Sequence, residues 1–471
     1  MPTEKSDTRQ FYLLMIPLII GPLLVALDVL ALTTALPTMA QQLKISISQA
    51  SLSFVLYILM FTGLILPLGT LMDRTDCYRL LRWGYLLFAV GSLFCCLAQG
   101  IVWLCIGRCV QGAGGAILYA VTPVLVKRAL PCGMWDRGYA GLVMTSNLGI
   151  LAGPPLGGII TTMLGWQWIF ALNLPLVGLK LWLVRKRSTL PEPGHSTKPF
   201  DYAGALYSFL SCTLLIVVLQ QGKELGWSSA PILFAAALGL TCVLLFLNRQ
   251  LNCAHPLIDL GLLRNLPYRS GLLITFLAMG TNAGLMFLYP FFLTYSLGLP
   301  TMQTGILLMI EPACSLLACF AAAPLAGWAG YRAAVTGAMG LRLCAVLALA
   351  AVAVTPSLLT VIVAFGLAGI ATGLQYGPLM AHIMAAVPAE HAGAGGSLFS
   401  QVRMLSQLMG VVLFETVFSG LKGAESIMSL SRENIGTPFR VCFMLAALLL
   451  VAAGWRALEL RTNRKPLGSV P

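Results

Sequence analysis

Charged side chains are scarce in this chain of 471 residues, because Asp, Glu, Lys and Arg together make up only 10% of it. Soluble domains carry about 25% charged residues. Hydrophobic residues account for 58%, the mean hydropathy is +0.87, and apolar blocks recur from residue 11 to residue 455. This composition excludes a soluble globular protein, a disordered chain and a collagen. It indicates a polytopic membrane protein embedded in a lipid bilayer.

Signatures of catalysis and of cofactor binding are also lacking. The sequence contains no GxxxxGK[ST] phosphate-binding loop, no HExxH and no nucleophile elbow, which argues against direct use of ATP and against an enzyme. The 13 cysteines form no CxxC pair and no Cys/His cluster with metal-ligand spacing, so we expect no metal and no cofactor. A soluble basic face interleaved with aromatics is missing too, and we expect no nucleic-acid partner.

The apolar blocks predict fourteen membrane-spanning helices. A bilayer core of about 30 Å requires roughly 20 apolar residues in a helix, and backbone groups in lipid need internal hydrogen bonds. The apolar runs are continuous rather than alternating, which disfavours a β-barrel. The predicted spans lie near residues 11–35, 50–72, 80–99, 101–125, 138–163, 166–184, 202–221, 230–248, 271–296, 302–327, 333–353, 357–380, 396–420 and 438–456.

The distribution of basic residues predicts the orientation. If both termini are cytoplasmic, 20 of the 29 Lys and Arg residues fall in cytoplasmic loops or tails. Only five fall on the other side, namely Lys44, Lys223, Lys422, Arg432 and Arg440. This asymmetry follows the positive-inside rule. It accounts for the net charge of +13 and places both termini in the cytoplasm.

Two polar stretches divide the chain. The Pro- and Ser-rich stretch Ser188–Asp201 follows the basic cluster Arg185–Arg187, and a second polar stretch covers Arg249–Arg269. We predict an N-terminal six-helix bundle (residues 1–187), cytoplasmic linkers with an inserted two-helix hairpin (188–269), and a C-terminal six-helix bundle (270–471). Two six-helix bundles are typical of a transporter whose substrate path lies near the membrane midplane.

Four motifs follow one another in the first half of the chain. They are Leu27-Asp28 in span one, GTLMDRTDCYR from Gly69 to Arg79, LCIGRCVQGAGG from Leu104 to Gly115, and GILAGPPLGG from Gly149 to Gly158. Together they resemble the signature motifs of the major facilitator superfamily, and in particular its fourteen-span drug:proton antiporter branch. The resemblance implies the major facilitator fold and proton-coupled export of small molecules.

The span-five motif, with Gly149, Gly153, Pro154, Gly157 and Gly158, marks antiporters in that family. Glycines let membrane helices approach closely, and proline produces a kink whose freed carbonyls neighbouring helices can satisfy. These properties suit a pivot between rigid bundles. Tight packing without any pivoting role is the alternative.

The loop after span two carries Gly69, Asp73 and Arg74, which the resemblance assigns to a gate. A carboxylate there can pair with a cation or with a helix N-terminus in one state and release it in another. A solvated loop turn is the alternative. The sequence departs from the family pattern, because Asp76 replaces a glycine and Cys77-Tyr78 replace basic residues, so the strength of the gate is open.

Ionisable residues within spans are expensive and usually functional. Asp28 is our candidate proton or cation site, because burial favours the neutral form of a carboxyl group; a structural, hydrogen-bonded acid is the alternative. Arg108 is a candidate counter-charge, or else an anchor between helices. Glu311 is a second candidate for proton coupling, and it is also a candidate that attracts cationic substrates. Glu415 is a further candidate for proton coupling, although it could face the external end of its span.

Aromatic residues of span nine form a candidate substrate surface. Phe287, Tyr289, Phe292 and Tyr295 could stack against flat cationic or aromatic substrates. Packing or an interfacial belt is an equally good interpretation of each one.

The sequence therefore predicts a proton-coupled antiporter that exports small amphipathic or drug-like molecules, with multidrug efflux and antibiotic resistance as its biological role. We expect it in a bacterial inner membrane. A dedicated exporter of one metabolite, siderophore or peptide is the main alternative, and a receptor or scaffold without transport is a remote one. The expected partners are a small-molecule substrate, protons and lipid. The oligomeric state is open, with a monomer as the working expectation.

Overall fold

The structure is a computed structural model that describes residues 3–45, 47–131, 134–185, 200–253, 256–258, 261–353, 357–388, 391–422 and 432–460. None of these residues lies in a strand, which confirms the prediction of an all-α protein. The helices are α1 (Thr3–Leu43), α2 (Ile47–Met72), α3 (Cys77–Cys96), α4 (Ile101–Ala129), α5 (Trp135–Met163), α6 (Gln167–Arg185), α7 (Tyr202–Leu225), α8 (Ala230–Asn252), α9 (Gly261–Arg264), α10 (Leu266–Phe291), α11 (Thr301–Leu308), α12 (Ile310–Ala329), α13 (Tyr331–Val352), α14 (Leu358–Ala385), α15 (Ala392–Lys422) and α16 (Arg432–Leu458).

Thirteen segments of the described chain are long and apolar enough to cross a membrane. One of them, Gln303–Ala329, joins α11 to α12. The predicted sixth span corresponds to a shorter apolar stretch, Gln167–Leu181. A polytopic membrane protein is therefore confirmed, whereas the count of fourteen and the cytoplasmic termini stay predictions. Most of the predicted linker at 188–201 lies outside the described residues, as do Lys186, Arg187, Lys198, Arg461, Arg464 and Lys465.

Local sequence explains where several helices begin and end. The Asp76 carboxylate accepts the Tyr78 backbone N–H at 2.8 Å and caps α3. Asp201 caps α7 in the same way, through the Gly204 N–H at 3.0 Å. Such caps satisfy donors that the first helical turn leaves unpaired. Gly330, with φ of +85°, ends α12 immediately before α13, because glycine adopts positive φ without steric cost.

The helices form two compact units. Unit 1 comprises Met1–Gly138, Thr145–Leu263 and Val387–Gln401, and unit 2 comprises Tyr139–Met144, Arg264–Ala386 and Val402–Pro471. The hairpin of α7 and α8 is thus grouped with unit 1. The main division, between Leu263 and Arg264, falls six residues before the predicted start of the C-terminal bundle at 270.

Helix α4 is central to unit 1, where it packs against α1, α2 and α3. Its glycines bring the backbones together, since a Cβ on Gly114 would lie 2.8 Å from the Gly84 carbonyl oxygen and one on Gly112 would lie 2.6 Å from that of Tyr57. Close approach through glycine is the usual way to gain packing energy inside a membrane. The polar side chains of α4 therefore lie among the three neighbouring helices α1, α2 and α3.

Helix α14 has the corresponding place in unit 2, where it packs against α10, α12 and α13. A Cβ on Gly373 would come within 2.8 Å of Ala318 Cβ, so this crossing also depends on glycine. These helices and α16 enclose a large apolar core that includes Leu285, Phe292, Phe365 and Phe443. Each unit thus has its own tightly packed interior in which a few charged side chains are enclosed.

Candidate functional site

The Asp28 carboxylate of α1 lies in the interior of unit 1 with three hydrogen-bond donors around it. Oδ2 accepts from Arg108 Nη1 at 2.6 Å, and Oδ1 accepts from Gln111 Nε2 and Asn173 Nδ2, both at 2.8 Å. All four side chains are 0% exposed. A carboxylate that accepts hydrogen bonds on both oxygens has a partner for each of them, so the three donors match the acceptors of the Asp28 side chain.

The residues around the pair fix its geometry. Arg108 and Gln111 lie three residues apart on α4, so they share one face of the helix, and Arg108 Nη1 also donates to Gln111 Oε1 at 2.6 Å. The Ser92 hydroxyl accepts from Gln111 at 2.9 Å and from Asn173 at 3.3 Å. The Tyr57 ring lies 4.1 Å from the guanidinium carbon of Arg108. Helices α1, α2, α3, α4 and α6 therefore all contribute to one polar cluster.

The Arg108 guanidinium keeps unused donors. Its Nε and Nη2 have no hydrogen-bond partner among the described residues, and the aromatic faces of Tyr57 and Phe170 provide the remaining surroundings. A ring face stabilises a cation by about 0.5–2 kcal/mol, but it does not replace a hydrogen bond. Arg108 can therefore bind a further acceptor when one is present.

A second buried ion pair lies within unit 2. Glu311 Oε1 of α12 lies 3.2 Å from Arg342 Nη2 of α13, and the side chains are 6% and 0% exposed. Arg342 also donates to Asn282 Oδ1, and to Thr372 Oγ1 at 2.9 Å. Glu311 Oε2 has no partner among the described residues. Glu311 thus shares its charge with Arg342 through one oxygen, and its roles in proton coupling and in attracting cationic substrates stay predictions.

The predicted gate residue Asp73 lies after α2 and contacts the start of α15 within unit 1. Its two oxygens accept the backbone N–H groups of Gly393 at 2.8 Å and Ala394 at 2.9 Å, and Arg128 Nη2 lies 3.2 Å from Oδ1. Burial raises the pKa of Asp73, while the two N–H groups and Arg128 oppose that rise. Both predicted partners, a cation and a helix N-terminus, are thus engaged together.

The other two gate residues have different surroundings. Arg74 places its guanidinium 5.4 Å from the centre of the Phe200 ring, and its Nη1 has no hydrogen-bond partner among the described residues. Gly69 packs directly on α15, where an added Cβ would lie 2.8 Å from the Gly393 carbonyl oxygen. Asp73 alone of the three therefore makes polar contacts to α15, and Gly69 permits the close approach that those contacts need.

Three of the four glycines in the span-five motif face α1. A Cβ on Gly149 would lie 2.8 Å from Ala26 Cβ, and one on Gly153 would lie 2.8 Å from Leu30 Cβ. A Cβ on Gly157 would meet the Thr34 hydroxyl at 2.6 Å, whereas nothing lies within 4 Å of one on Gly158. Helix α5 runs through Pro154 without interruption. The motif thus joins α5 to α1, the helix that carries Asp28.

The aromatic candidates divide by burial. Tyr289 and Phe292 belong to the packed core of unit 2, and Phe287 and Tyr295 are partly buried against that core. Tyr289 packs on Phe365 with ring centres 4.6 Å apart. Packing accounts for Tyr289 and Phe292, and substrate stacking stays a prediction for all four. Glu415 is half-buried on α15, and its coupling role also stays a prediction.

Sequence analysis did not single out Arg342, Asn173 or Tyr57. Arg342 had a detectable signal, because it interrupts the long apolar stretch of α13 and an ionisable residue in such a stretch is functional by default. Asn173 is uncharged, so it does not stand out in the apolar sequence of α6. Nothing in the sequence marks Tyr57 as a functional residue, since a tyrosine in an apolar helix is ordinarily a packing residue. Their roles emerge only when helices are placed side by side.

Comparison with known proteins identifies the setting of these clusters. The sequence model of the Major Facilitator Superfamily matches residues 18–411. The riboflavin transporter RibZ of Clostridioides difficile strain 630 is 28% identical over 87% of this chain and 89% of its own length. The putative multidrug resistance protein MdtD of Escherichia fergusonii is 26% identical over 95% and 94%, respectively.

Solved structures of low sequence identity share the fold. The human organic anion transporter MFSD10 (TETRAN) has a TM-score of 0.64 at 15% identity, and the match covers 94% of this chain and 99% of that one. A bacterial homologue of the iron transporter ferroportin, in an outward-facing state, has a TM-score of 0.65 at 13% identity, covering 95% and 99%. Both likenesses extend over nearly the whole chain, and they show the fold.

Proposed function

The chain belongs to the major facilitator superfamily, a family of membrane transporters, and we propose that it is a proton-coupled antiporter that exports small amphipathic molecules from the cytoplasm by alternating access. The observation that carries the proposal is the ion pair of Asp28 and Arg108, enclosed in unit 1 with both side chains 0% exposed. A buried ion pair is a poor source of stability compared with apolar packing. Its presence inside a transporter therefore supports a role in coupling.

Protonation of Asp28 is the proposed switch. A proton on the carboxyl group removes the charge that holds Arg108. It also turns one oxygen into a donor, which opposes the donor from Arg108 if the proton is on Oδ2, or the donors from Gln111 and Asn173 if it is on Oδ1. Arg108 is then released to bind another acceptor. Loss of the proton restores the pair. Because the carboxylate is satisfied only in its ionised form, the proton and the pair are mutually exclusive, as exchange of one ligand for another requires.

The energy source follows from this exchange. Each proton that moves down a membrane potential supplies about 2.3 kcal/mol per 100 mV, in addition to any pH gradient. We propose that the transporter acts in a bacterial cytoplasmic membrane, in keeping with the bacterial sources of its named relatives. The buried acids Glu311 and Glu415 are secondary candidates for proton carriers.

A dedicated exporter of one metabolite is the second candidate function. The specific observation that favours it is the 28% identity to a protein named as a riboflavin transporter. Broad export is favoured by the 26% identity to a protein named for multidrug resistance. The two candidates share a mechanism and differ in cargo, so one panel of compounds distinguishes them.

The test is proton release from the purified protein in weakly buffered detergent solution, followed with a pH-sensitive dye. Lipophilic cations, riboflavin and anionic metabolites are added in turn to the wild type, to Asp28→Asn and to the control Glu459→Gln, which removes a partly exposed acid at the end of α16. We expect release from the wild type and the control but not from Asp28→Asn. Release that survives in Asp28→Asn would transfer the coupling to Glu311 or Glu415, and no release with any compound would contradict proton antiport.

A further inference from the structure

A second cation lies inside unit 1, and the Asp28–Arg108 pair does not neutralise it. Lys180 of α6 is 0% exposed, and its ammonium nitrogen has no hydrogen-bond partner among the described residues. The nitrogen lies 5.4 Å from the centre of the Tyr85 ring of α3. An isolated ammonium in a membrane interior is unfavourable unless an anion or another acceptor accompanies it. Its presence there requires a reason.

Lys180 belongs to a layer of residues that lies two helical turns from the Asp28 layer. Seven residues of α-helix span about 10.5 Å and return to nearly the same face. Each of four helices has one residue in the Asp28 layer and another seven positions along the chain, toward the end at which α1 begins: Asp28 and Gly21 on α1, Ser92 and Tyr85 on α3, Gln111 and Leu118 on α4, and Asn173 and Lys180 on α6.

The surroundings of Gly21 show that residues of this second layer are close neighbours in space. A Cβ on Gly21 would lie 3.2 Å from the Tyr85 hydroxyl, 3.6 Å from Leu118 Cβ and 3.7 Å from the Thr122 hydroxyl. Side chains from α3 and α4 therefore meet α1 at this level, and the Lys180 ammonium reaches the same Tyr85 ring from α6. The glycine lets α1 approach the tyrosine hydroxyl closely, because an added methyl group would already be in tight contact with it.

Two hydrogen-bond donors in this layer lack an acceptor. The Tyr85 hydroxyl, like the Lys180 ammonium, has no partner among the described residues. The buried ion pairs do not compensate for this, since Asp28 is matched by Arg108 and Glu311 by Arg342. Neither of these buried carboxylates is therefore left over as a partner for Lys180. A negatively charged oxygen group is the ligand that would satisfy both donors at once.

We infer that Lys180 and Tyr85 form a binding site for an anionic group, such as a carboxylate, on the transported molecule. The inference rests on the proposed function only in taking the ligand as cargo. Lysine suits this role because its ammonium is a compact charge on a flexible stem and can follow a ligand over several ångströms. The site assigns the cargo to amphipathic anions rather than to lipophilic cations, and Asp28, two helical turns away, remains the switch.

The experiment compares three probes that share one aromatic ring and differ in charge: 1-naphthoate, 1-naphthamide and 1-naphthylmethylammonium. Binding to the purified full-length protein in lipid nanodiscs is measured by titration calorimetry. A hydrogen bond to a charged partner contributes about 1.5–3 kcal/mol, so we expect the wild type to bind naphthoate roughly tenfold or more tightly than naphthamide. The ammonium probe should bind most weakly.

Variants then assign the preference to the site. Lys180→Met should abolish the preference for naphthoate over naphthamide, and Tyr85→Phe should reduce it by roughly threefold, the value of one weak hydrogen bond. Lys180→Arg should retain it, because the charge is kept. Lys44→Met, which removes an exposed lysine, is the matched control and should behave as the wild type.

Two results would overturn the inference: a wild type without preference for naphthoate, or a Lys180→Met variant that keeps it. In the second case Lys180 is a neutral amine that binds no anion. Loss of a buried unpaired charge does not threaten folding, and Tyr85→Phe tests the site independently. Asp28→Asn should leave the preference intact, so a failure of proton coupling and a failure of anion binding are recorded in separate measurements.

Discussion

The two buried ion pairs of this transporter differ in how completely their carboxylates are satisfied. In unit 1, Asp28 accepts three hydrogen bonds, from Arg108, Gln111 and Asn173. The bond from Arg108, which is also the ion pair, is 2.6 Å long. In unit 2, Glu311 has one ion-pair contact at 3.2 Å, and its second oxygen has no partner among the described residues. The arginines differ in the opposite sense, since Arg342 also binds Asn282 and Thr372.

This difference indicates separate tasks for the two pairs. A carboxylate that is surrounded by donors cannot accept a proton without breaking hydrogen bonds, so its protonation has to accompany a rearrangement. A carboxylate with a free oxygen can accept a proton and keep its arginine contact. Coupling requires that the chemical event and the structural change depend on each other. We therefore propose Asp28 as the coupling residue and Glu311 mainly as the partner that neutralises Arg342.

Neutralising each acid in turn should give the largest contrast. In Asp28→Asn, substrate-driven proton release should fall by roughly 100-fold or more, the scale expected when a proton-transferring group is lost. In Glu311→Gln the rate should fall by only a few-fold, because the amide oxygen still accepts from Arg342. The measurement is the initial rate of proton release from equal amounts of each purified variant, with the best compound from the panel.

Asn and Gln are close in shape to the acids they replace, so monodisperse elution of both variants is the control for folding. Equal losses in the two variants would show that both carboxylates carry protons. A larger loss in Glu311→Gln would reverse the assignment and place the switch in unit 2.

Removing each arginine should separate the pairs by stability. Arg108→Met leaves the buried Asp28 without its cation, which costs about 3–5 kcal/mol in the free energy of unfolding. Arg342→Met also removes the cation beside Glu311, but a proton can bind the unpartnered oxygen of this carboxylate and neutralise it. The loss should therefore be nearer the cost of unsatisfied polar groups, about 1–3 kcal/mol. Thermal unfolding of the detergent-solubilised variants measures both values.

Arg456→Met is the matched control, because Arg456 pairs with Glu459 at a partly exposed position on α16. Such surface pairs contribute about 0.3–0.5 kcal/mol. A loss in Arg342→Met that equals or exceeds the loss in Arg108→Met would show that the two clusters are equally dependent on their arginines and would remove the basis of the comparison.

The sequence predicted the helices and the acids of these clusters but not the full sets of partners. Asp28 and Glu311 stand out because a carboxylate is costly within an apolar run, and Arg108 was visible as an unusual cation in α4. Asn173 and Asn282 bring uncharged donors and acceptors from other helices, and nothing in the sequence indicates which helix faces meet. Lys180 lies within the short apolar stretch Gln167–Leu181 of α6, where a lysine could have been noticed as another ionisable residue inside a span.

In each unit, two helices also cross at a glycine, and the importance of that glycine can be tested. In unit 1, α5 meets α1 at Gly157, and in unit 2, α15 meets α10 where Gly410 packs against the backbone of Gly280. A methyl group added at either glycine enters an occupied space, which costs about 1–3 kcal/mol in the free energy of unfolding. We therefore expect Gly157→Ala and Gly410→Ala to lower the thermal unfolding midpoint.

The neighbouring Gly158 is the control for unit 1, because nothing lies within 4 Å of an added Cβ there. Replacing a helical glycine with alanine at an open position raises stability by about 0.5–1 kcal/mol. A Gly158→Ala variant as destabilised as Gly157→Ala would mean that α5 has other neighbours than α1 on that face. A loss at Gly157 without a loss at Gly410 would confine the glycine crossing to unit 1.

The smallest expected effect concerns Asp73, a carboxylate outside the spans that combines an arginine with two backbone donors. Burial raises its pKa despite those contacts, so the folded state binds a proton more readily than the unfolded chain. The associated stability is fully present below the unfolded pKa and is lost as the pH rises through the folded pKa.

Acidification from about pH 7 to about pH 4 should therefore stabilise the wild type relative to Asp73→Asn, by less than about 1 kcal/mol. Unfolding midpoints of both proteins across this range provide the measurement, with Glu459→Gln as the control. If the wild type instead lost stability relative to Asp73→Asn on acidification, the backbone donors and Arg128 would outweigh burial, and the α15 contact would resemble the fully satisfied Asp28 site rather than the half-satisfied Glu311 site.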